Sequence, residues 1–359
     1  MSSPSQTLST AFAPYAAFPV ASWPEAVAIG DLNNDGRNDV VLTTSTYGAS
    51  TNDQSILIFF QTAGGGLAAP VRYAAGGSAT SVAIADFNGD GKKDIAVGIG
   101  SGIRVFLQGA GGTFSNFTDY PTGNARWICA GDFNNDGRSD LAGIDWSSQQ
   151  VDVFTQAVSG TLSFFGQFSA NYAGYNDLKA GDVNNDGLTD IIVMSGQGLG
   201  PNLNVLLQTN GGFAAAAPYD LGGSELTDGV AVGDLTGDGR NDIAVAYGGN
   251  RPNSKVSIFN QQTDGTLLRG ATYDSYDIPE SAVVADVDLN GRGDILTLHG
   301  GWQELGVYFQ TSAGGFETEK LFAIPYASHY NPHGLAVGDI NGDGCRTSLL
   351  RIITMAWLS

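Results

Sequence analysis

The chain has 359 residues, 51 of them Gly, and carries 36 acidic against 16 basic side chains for a net charge of −20. A surface of that sign repels phosphate backbones and excludes DNA and RNA as partners; no apolar run approaches a membrane span. Two cysteines, Cys129 and Cys345, form no disulfide framework, and Cys129 reads as a buried small hydrophobe.

In chain order, the first twenty residues lack a basic start and a continuous apolar stretch, so no signal peptide is visible. Within them Leu8 to Val20, LSTAFAPYAAFPV, reads as a lone strand. The first loop follows as DLNNDGRND from Asp31. It returns as DFNGDGKKD from Asp86, DFNNDGRSD from Asp132, DVNNDGLTD from Asp182, DLTGDGRND from Asp234 and DVDLNGRGD from Asp286, and in altered form as DINGDGCRT from Asp339. The starts are 55, 46, 50, 52, 52 and 53 residues apart, which nearly exhausts the chain. An alternating apolar stretch precedes each loop, as in SVAIAD, and another follows, as in DIAVGIG. A third ends in Gln, as in IRVFLQ and VSIFNQ, and a fourth comes after a Gly-rich turn. Period-two alternation with turn residues between makes four short strands per repeat, and no helix is expected. Residues 1–359 therefore predict one all-β domain, a seven-bladed β-propeller of four-stranded antiparallel blades.

The two ends need a separate account. The Leu8 to Val20 strand has no earlier strand to join, so it is expected to complete the seventh blade, whose first strand is His333 to Asp339. After Gly344 the pattern fails, with Thr347 where Asp is expected. Residues 345–359, from Cys345 to Ser359, read as an out-of-frame or truncated tail that leaves the last blade incomplete.

A tight turn needs Gly and one Asx residue. It does not need an oxygen donor at positions 1, 3, 5 and 9 in six successive copies. That spacing, with one backbone carbonyl at position 7, suits calcium; zinc would call for His or Cys. An EF-hand is excluded, because position 12 carries no acid and the flanks are strands. The seven loops hold 20 of the 36 acids, so the remaining 16 match the 16 basic residues. Six bound calcium ions would bring the charge from −20 to −8. Clustered carboxylates of this kind repel one another unless a cation is present.

Strand, D-x-[DNT]-x-[DN]-G-x-x-D, strand, at fifty-residue intervals resembles the FG-GAP/VCBS repeat family, which includes the integrin α-chain propeller, bacterial surface proteins and a group of fungal lectins. The resemblance covers almost the whole chain. It implies calcium in the loop between the first and second strands of each blade. The implied ligands are Asp31, Asn33, Asp35, Arg37 (by its carbonyl) and Asp39; Asp86, Asn88, Asp90, Lys92 and Asp94; and Asp132, Asn134, Asp136, Arg138 and Asp140. They continue with Asp182, Asn184, Asp186, Leu188 and Asp190; Asp234, Thr236, Asp238, Arg240 and Asp242; and Asp286, Asp288, Asn290, Arg292 and Asp294. Asp339, Asn341 and Asp343 would form a weaker seventh site. The literal Phe-Gly and Gly-Ala-Pro words of the integrin version are largely missing.

Loops alternate faces in a four-stranded blade. The face opposite the Asp loops is expected to carry Trp23, Trp127, Trp146 and Trp302, with Tyr47, Tyr175, Tyr247, His299 and His333. The residue six before each loop is polar: Glu25, Thr80, Arg126, Asn176, Asp228, Glu280 and His333. Aromatics beside polar groups suit sugars or protein partners. The alternative is that the aromatics fill gaps between blades and the polar residues merely start strands. Trp23, Trp127, Trp146, Trp302, Tyr47 and His333 are the candidate ligand-binding set. No catalytic constellation stands out, so an enzyme is not expected; Glu25 with Asp228 or Glu280 is the acid pair that would serve glycoside cleavage. The expected function is a calcium-binding recognition module for glycans or glycoproteins, outside the cell or on its surface. A protein-adhesion module and a polysaccharide-active enzyme are the alternatives.

Overall fold

The structure is a computed structural model and describes residues 16–18, 20–46, 53–170, 175–195, 203–221, 227–300, 302–324 and 331–343. Blade one shows how the repeat folds. Its strands are Trp23–Gly30, Asp39–Ser45, Ser55–Phe59 and Val71–Ala74, paired antiparallel in sequence order. The second strand is buried along its whole length, whereas the outermost is largely exposed. Neighbouring blades cover both faces of the inner strands, so apolar side chains are needed on both. The outer strand meets solvent and turns polar.

Among the described residues six such four-stranded sheets form the β-propeller. The other inner strands are Ser81–Ala85, Ala125–Gly131, Tyr175–Gly181, Thr227–Gly233 and Pro279–Ala285. The core lies in the seams between blades. Phe87, Ile103 and Val105 of blade two pack with Ile128, Leu141 and Phe154 of blade three. Inner strands end on small residues because the ring narrows there. A Cβ on Gly233 would lie 2.8 Å from Val284 Cγ1 of the next blade.

The seventh repeat departs from expectation. Among the described residues six four-stranded blades are present rather than seven. Residues 331–343 form no named strand, yet they sit between blade six and blade one. Leu335 and Val337 pack on Leu296, Leu298 and Val307, while Ile340 and Ala336 pack on Val27, Val40 and Leu57. The repeat therefore keeps its apolar teeth but has no described second strand to pair with. Most of the Leu8 to Val20 strand lies outside the described residues, as does the tail from Cys345 to Ser359. The described Phe18 and Val20 pack into the same closing seam, outside any strand.

Candidate functional site

The Asp loops share one design. Position 9 opens the second strand and is fully buried at Asp39, Asp94, Asp140, Asp190, Asp242 and Asp294. One oxygen of Asp39 accepts the Leu32 N–H at 2.9 Å, and the other accepts the Gln61 N–H at 2.7 Å. The pattern recurs in each of these blades, to Gln108, Gln156, Gln208, Gln261 and Gln310. The strand-ending Gln is thus a working part that sequence reasoning recorded without a role. Its side chain also reaches the preceding blade: Gln156 Nε2 donates to the Asp86 carbonyl at 2.8 Å.

Position 1 organises the turn. Asp31 accepts the N–H groups of Asn33, Asp35 and Gly36. Gly36 has φ of +80°, a conformation that favours glycine. Position 5 is turned towards local donors, with Arg37, Arg138 and Arg240 pairing to Asp35, Asp136 and Asp238. Burial, and secondarily the acids at positions 5 and 1, push Asp39, Asp94 and Asp140 up to about 6 and Asp190 up to about 7.

The donor set is all oxygen and fits a hard divalent cation. In the sixth loop, carboxylate oxygens of Asp286, Asp288 and Asp294 lie within 4.8 Å of one another. The turns between third and fourth strands pack on the preceding Asp loop; a Cβ on Gly265 would lie 2.6 Å from the Asn184 carbonyl. These two loop types therefore share one face, as the topology requires.

The opposite face sorts the remaining candidates into two groups. Trp146 is 37% exposed and Trp302 48% exposed, while Trp127 is 5% and His333 9%. Trp127 stacks on His333 at 5.4 Å between ring centroids. Burial alone would raise the Asp177 carboxyl, but the Lys179 ammonium and His333 outweigh it and hold it at about 2. His333 Nε2 lies 3.0 Å from Asp177 Oδ1. Trp127 and His333 are thus packing residues at the channel mouth and do not form a platform. Tyr247 is also buried, with its hydroxyl on Ser257, and Trp23 is half-buried. Tyr47 lies outside the described residues, as do the side chains of Asn176 and Asp228.

The polar ring becomes a hub around Asn331. Asn331 Nδ2 donates to Glu25 of blade one at 3.0 Å and to the Thr80 carbonyl of blade two at 3.1 Å. Its own carbonyl accepts from Ser281 of blade six. The His333 carbonyl accepts the Val27 N–H at 3.0 Å. With Trp127 and Asp177, this short segment touches five blades. Glu25 is thereby occupied, and Glu280 is 1% exposed, so neither offers an open acid for glycoside cleavage.

The seam between blades five and six is the other place where groups gather. Tyr276 meets Trp302 edge-on at 6.2 Å and His299 at 5.5 Å. Beneath them His299 Nε2 lies 2.8 Å from Glu319 Oε1, and Glu319 Oε2 accepts the Tyr276 N–H at 2.6 Å. Glu319 reaches inward because residue 306 is Gly; a Cβ there would lie 2.0 Å from Glu319 Oε1. Sequence reasoning placed His299 on this face but missed Tyr276, Arg251 and Glu319, which carry no repeat signal.

Comparisons with known proteins follow the same lines. The pattern of the FG-GAP-like repeat family matches residues 46–97, 90–143, 132–193, 182–245 and 234–297, and that of the FG-GAP repeat matches 23–59. No curated protein matches the chain. Among solved structures, a lectin from Agrocybe aegerita that recognises non-reducing terminal N-acetylglucosamine is similar at 18% identity and TM-score 0.60, over 84% of this chain and 81% of that one. A candidate 6-phosphogluconolactonase from Bacteroides uniformis is similar at 14% identity and TM-score 0.61, over 87% and 88%. The BBS1N chain in complex with ARL6DN is similar at 12% identity and TM-score 0.59, over 89% and 86%. At such identities the likeness concerns the fold. No helix among the described residues is long and apolar enough to cross a membrane.

Proposed function

The chain belongs to the FG-GAP-like repeat family, and from that premise we propose that it is a calcium-loaded propeller that binds carbohydrate. The observation that carries the reading is the pair of exposed indoles, Trp146 and Trp302, on the face away from the Asp loops. Flat aromatic surfaces beside polar groups suit the apolar faces of sugar rings. The lectin among the structural neighbours is consistent with this use of the fold.

Calcium would be held by the side chains at positions 1, 3, 5 and 9 and the carbonyl at 7, from Asp31 to Asp39 in blade one and at the matching residues of the next five. Bound there, it would offset the crowded carboxylates and fix each turn. The weaker site at Asp339, Asn341 and Asp343 would lie in the closing seam, between blade six and blade one. Extracellular calcium is abundant enough to fill loops of modest affinity, which supports action outside the cell or on its surface. A protein partner is the second reading, favoured by Phe117 at 48% and Phe164 at 59% exposure on outer strands.

A glycan array probed with calcium and with chelator tests the proposal. Binding is expected in calcium and is expected to weaken in chelator. An array blank in calcium would overturn the carbohydrate reading in favour of the protein partner.

A further inference from the structure

Most cations of this chain are already engaged. Arg37, Arg72, Lys92, Arg104, Arg138, Lys179, Arg240, Lys255 and Lys320 each pair with a carboxylate. Arg251 and Arg126, like Lys93, Arg269 and Arg292, form no ion pair among the described residues. Arg251 and Arg126 lie instead on aromatic rings of the face opposite the Asp loops. The Arg251 guanidinium carbon stands 4.4 Å from the Tyr276 ring centroid. That of Arg126 stands 5.6 Å from Trp127 and 5.1 Å from Trp146.

The Arg251 site is the more built of the two. Its wall is held from three sides. Glu319 fixes the Tyr276 N–H, Gly249 accepts the Ile278 N–H at 2.7 Å, and Ile278 accepts the Gly300 N–H at 3.0 Å. Trp302, exposed, stands at the edge of the same cluster. The nearby acids are spoken for: Asp277 accepts the Arg251 backbone N–H at 2.7 Å, and Asp274 pairs with Lys255 at 2.6 Å. The guanidinium thus lies over its ring with no ion pair among the described residues, although its charge also acts on Asp274. A guanidinium placed this way keeps N–H donors for a planar or tetrahedral anion. With six calcium ions bound the net charge would fall from −20 to −8, and a guanidinium beside an exposed indole is then a local point of positive charge that an anionic group of a ligand would use.

We propose that the cluster on the seam between blades five and six binds an acidic sugar, its ring against Trp302 and its carboxylate or sulfate on Arg251. The inference rests on the carbohydrate reading above and narrows it to charged glycans. The preformed wall removes much of the ordering cost of binding.

The test measures binding of the full chain, in calcium, to four immobilised polymers: polygalacturonate, its methyl ester, dextran sulfate and dextran. Wild-type protein is expected on polygalacturonate, dextran sulfate or both, with the uncharged counterpart roughly tenfold weaker or worse. The two acidic arms separate carboxylate from sulfate recognition. R251Q is expected to lose roughly tenfold in affinity at an unchanged melting temperature, and W302A to lose binding to the same polymer. Arg251 is exposed, so its variant keeps the fold. Equal binding of charged and neutral polymers, or a loss with R126Q but not R251Q, would overturn the acidic-sugar site while leaving carbohydrate recognition standing. Retention on none of the four together with a blank glycan array would overturn both.

Discussion

Asp140 and Asp136 stand in one loop and do different work. Asp140 is buried and accepts two backbone N–H groups, from Phe133 and Gln156. Asp136 faces solvent and pairs with Arg138. Asp140→Ala is expected to destabilise the protein even in chelator, by about 1–3 kcal/mol for each stranded donor. Asp136→Ala is expected to leave the chelated protein within about 0.5 kcal/mol of wild type and to weaken one calcium site. Denaturant unfolding in chelator, paired with calcium titration, reads both. The raised position-9 carboxyls add a pH dependence. A group raised on folding holds its proton longer in the native state, so metal-free stability falls as pH climbs from the ordinary Asp range through the raised values. Those values are about 6 for Asp39, Asp94 and Asp140 and about 7 for Asp190. In chelator the melting temperature is expected to be several degrees higher near pH 5 than near pH 7.5. Excess calcium is expected to restore the higher-pH sample, because the ion favours the ionised carboxylates. Equal chelator midpoints at the two pH values would count against buried, crowded carboxylates.

At the level of strands and hairpins, the indoles expected to act alike divide by position. Trp127 lies within an inner strand and is covered by His333, whereas Trp302 follows a second strand and projects from a hairpin. Trp127→Ala is expected to cost about 3–5 kcal/mol in unfolding free energy. Trp302→Ala is expected to leave stability within about 1 kcal/mol and to weaken sugar binding. Thermal melts and affinity for a glycan array hit, measured on both variants, check the division; matching stability losses would refute it. The Asp loops and the four-stranded blades were legible because each repeat restates the same local rule. The Gln at the third-strand end was visible as a letter but not as a latch, since its side-chain partner lies on another blade; for Gln156 the carbonyl is that of Asp86, 70 residues earlier. The cluster of Arg251, Tyr276 and Glu319 left no trace in the repeat, because its residues occur once and meet only across a seam.

For the whole ring, the decisive contacts are long in sequence. Asn331 reaches Glu25 across 306 residues and Thr80 across 251. No local pattern announces them, which is why His333 read as a candidate binder at the channel mouth and the structure makes it part of a hub. Contacts of such separation form late in folding, after the blades that present them. Asn331→Ala is therefore expected to speed unfolding roughly tenfold while leaving the refolding rate within about twofold. Stopped-flow measurements in denaturant distinguish this from the opposite case, in which refolding slows and closure belongs to the nucleus. The hub also has a consequence for a chain made from its N-terminus on a ribosome. All six built blades emerge before Asn331 does. Until then the nascent protein is an open arc with a bare apolar seam at each end, the state most exposed to mispairing with another copy. Cellular yield should then depend less on how well any blade folds than on how long the arc waits for a few residues near position 331.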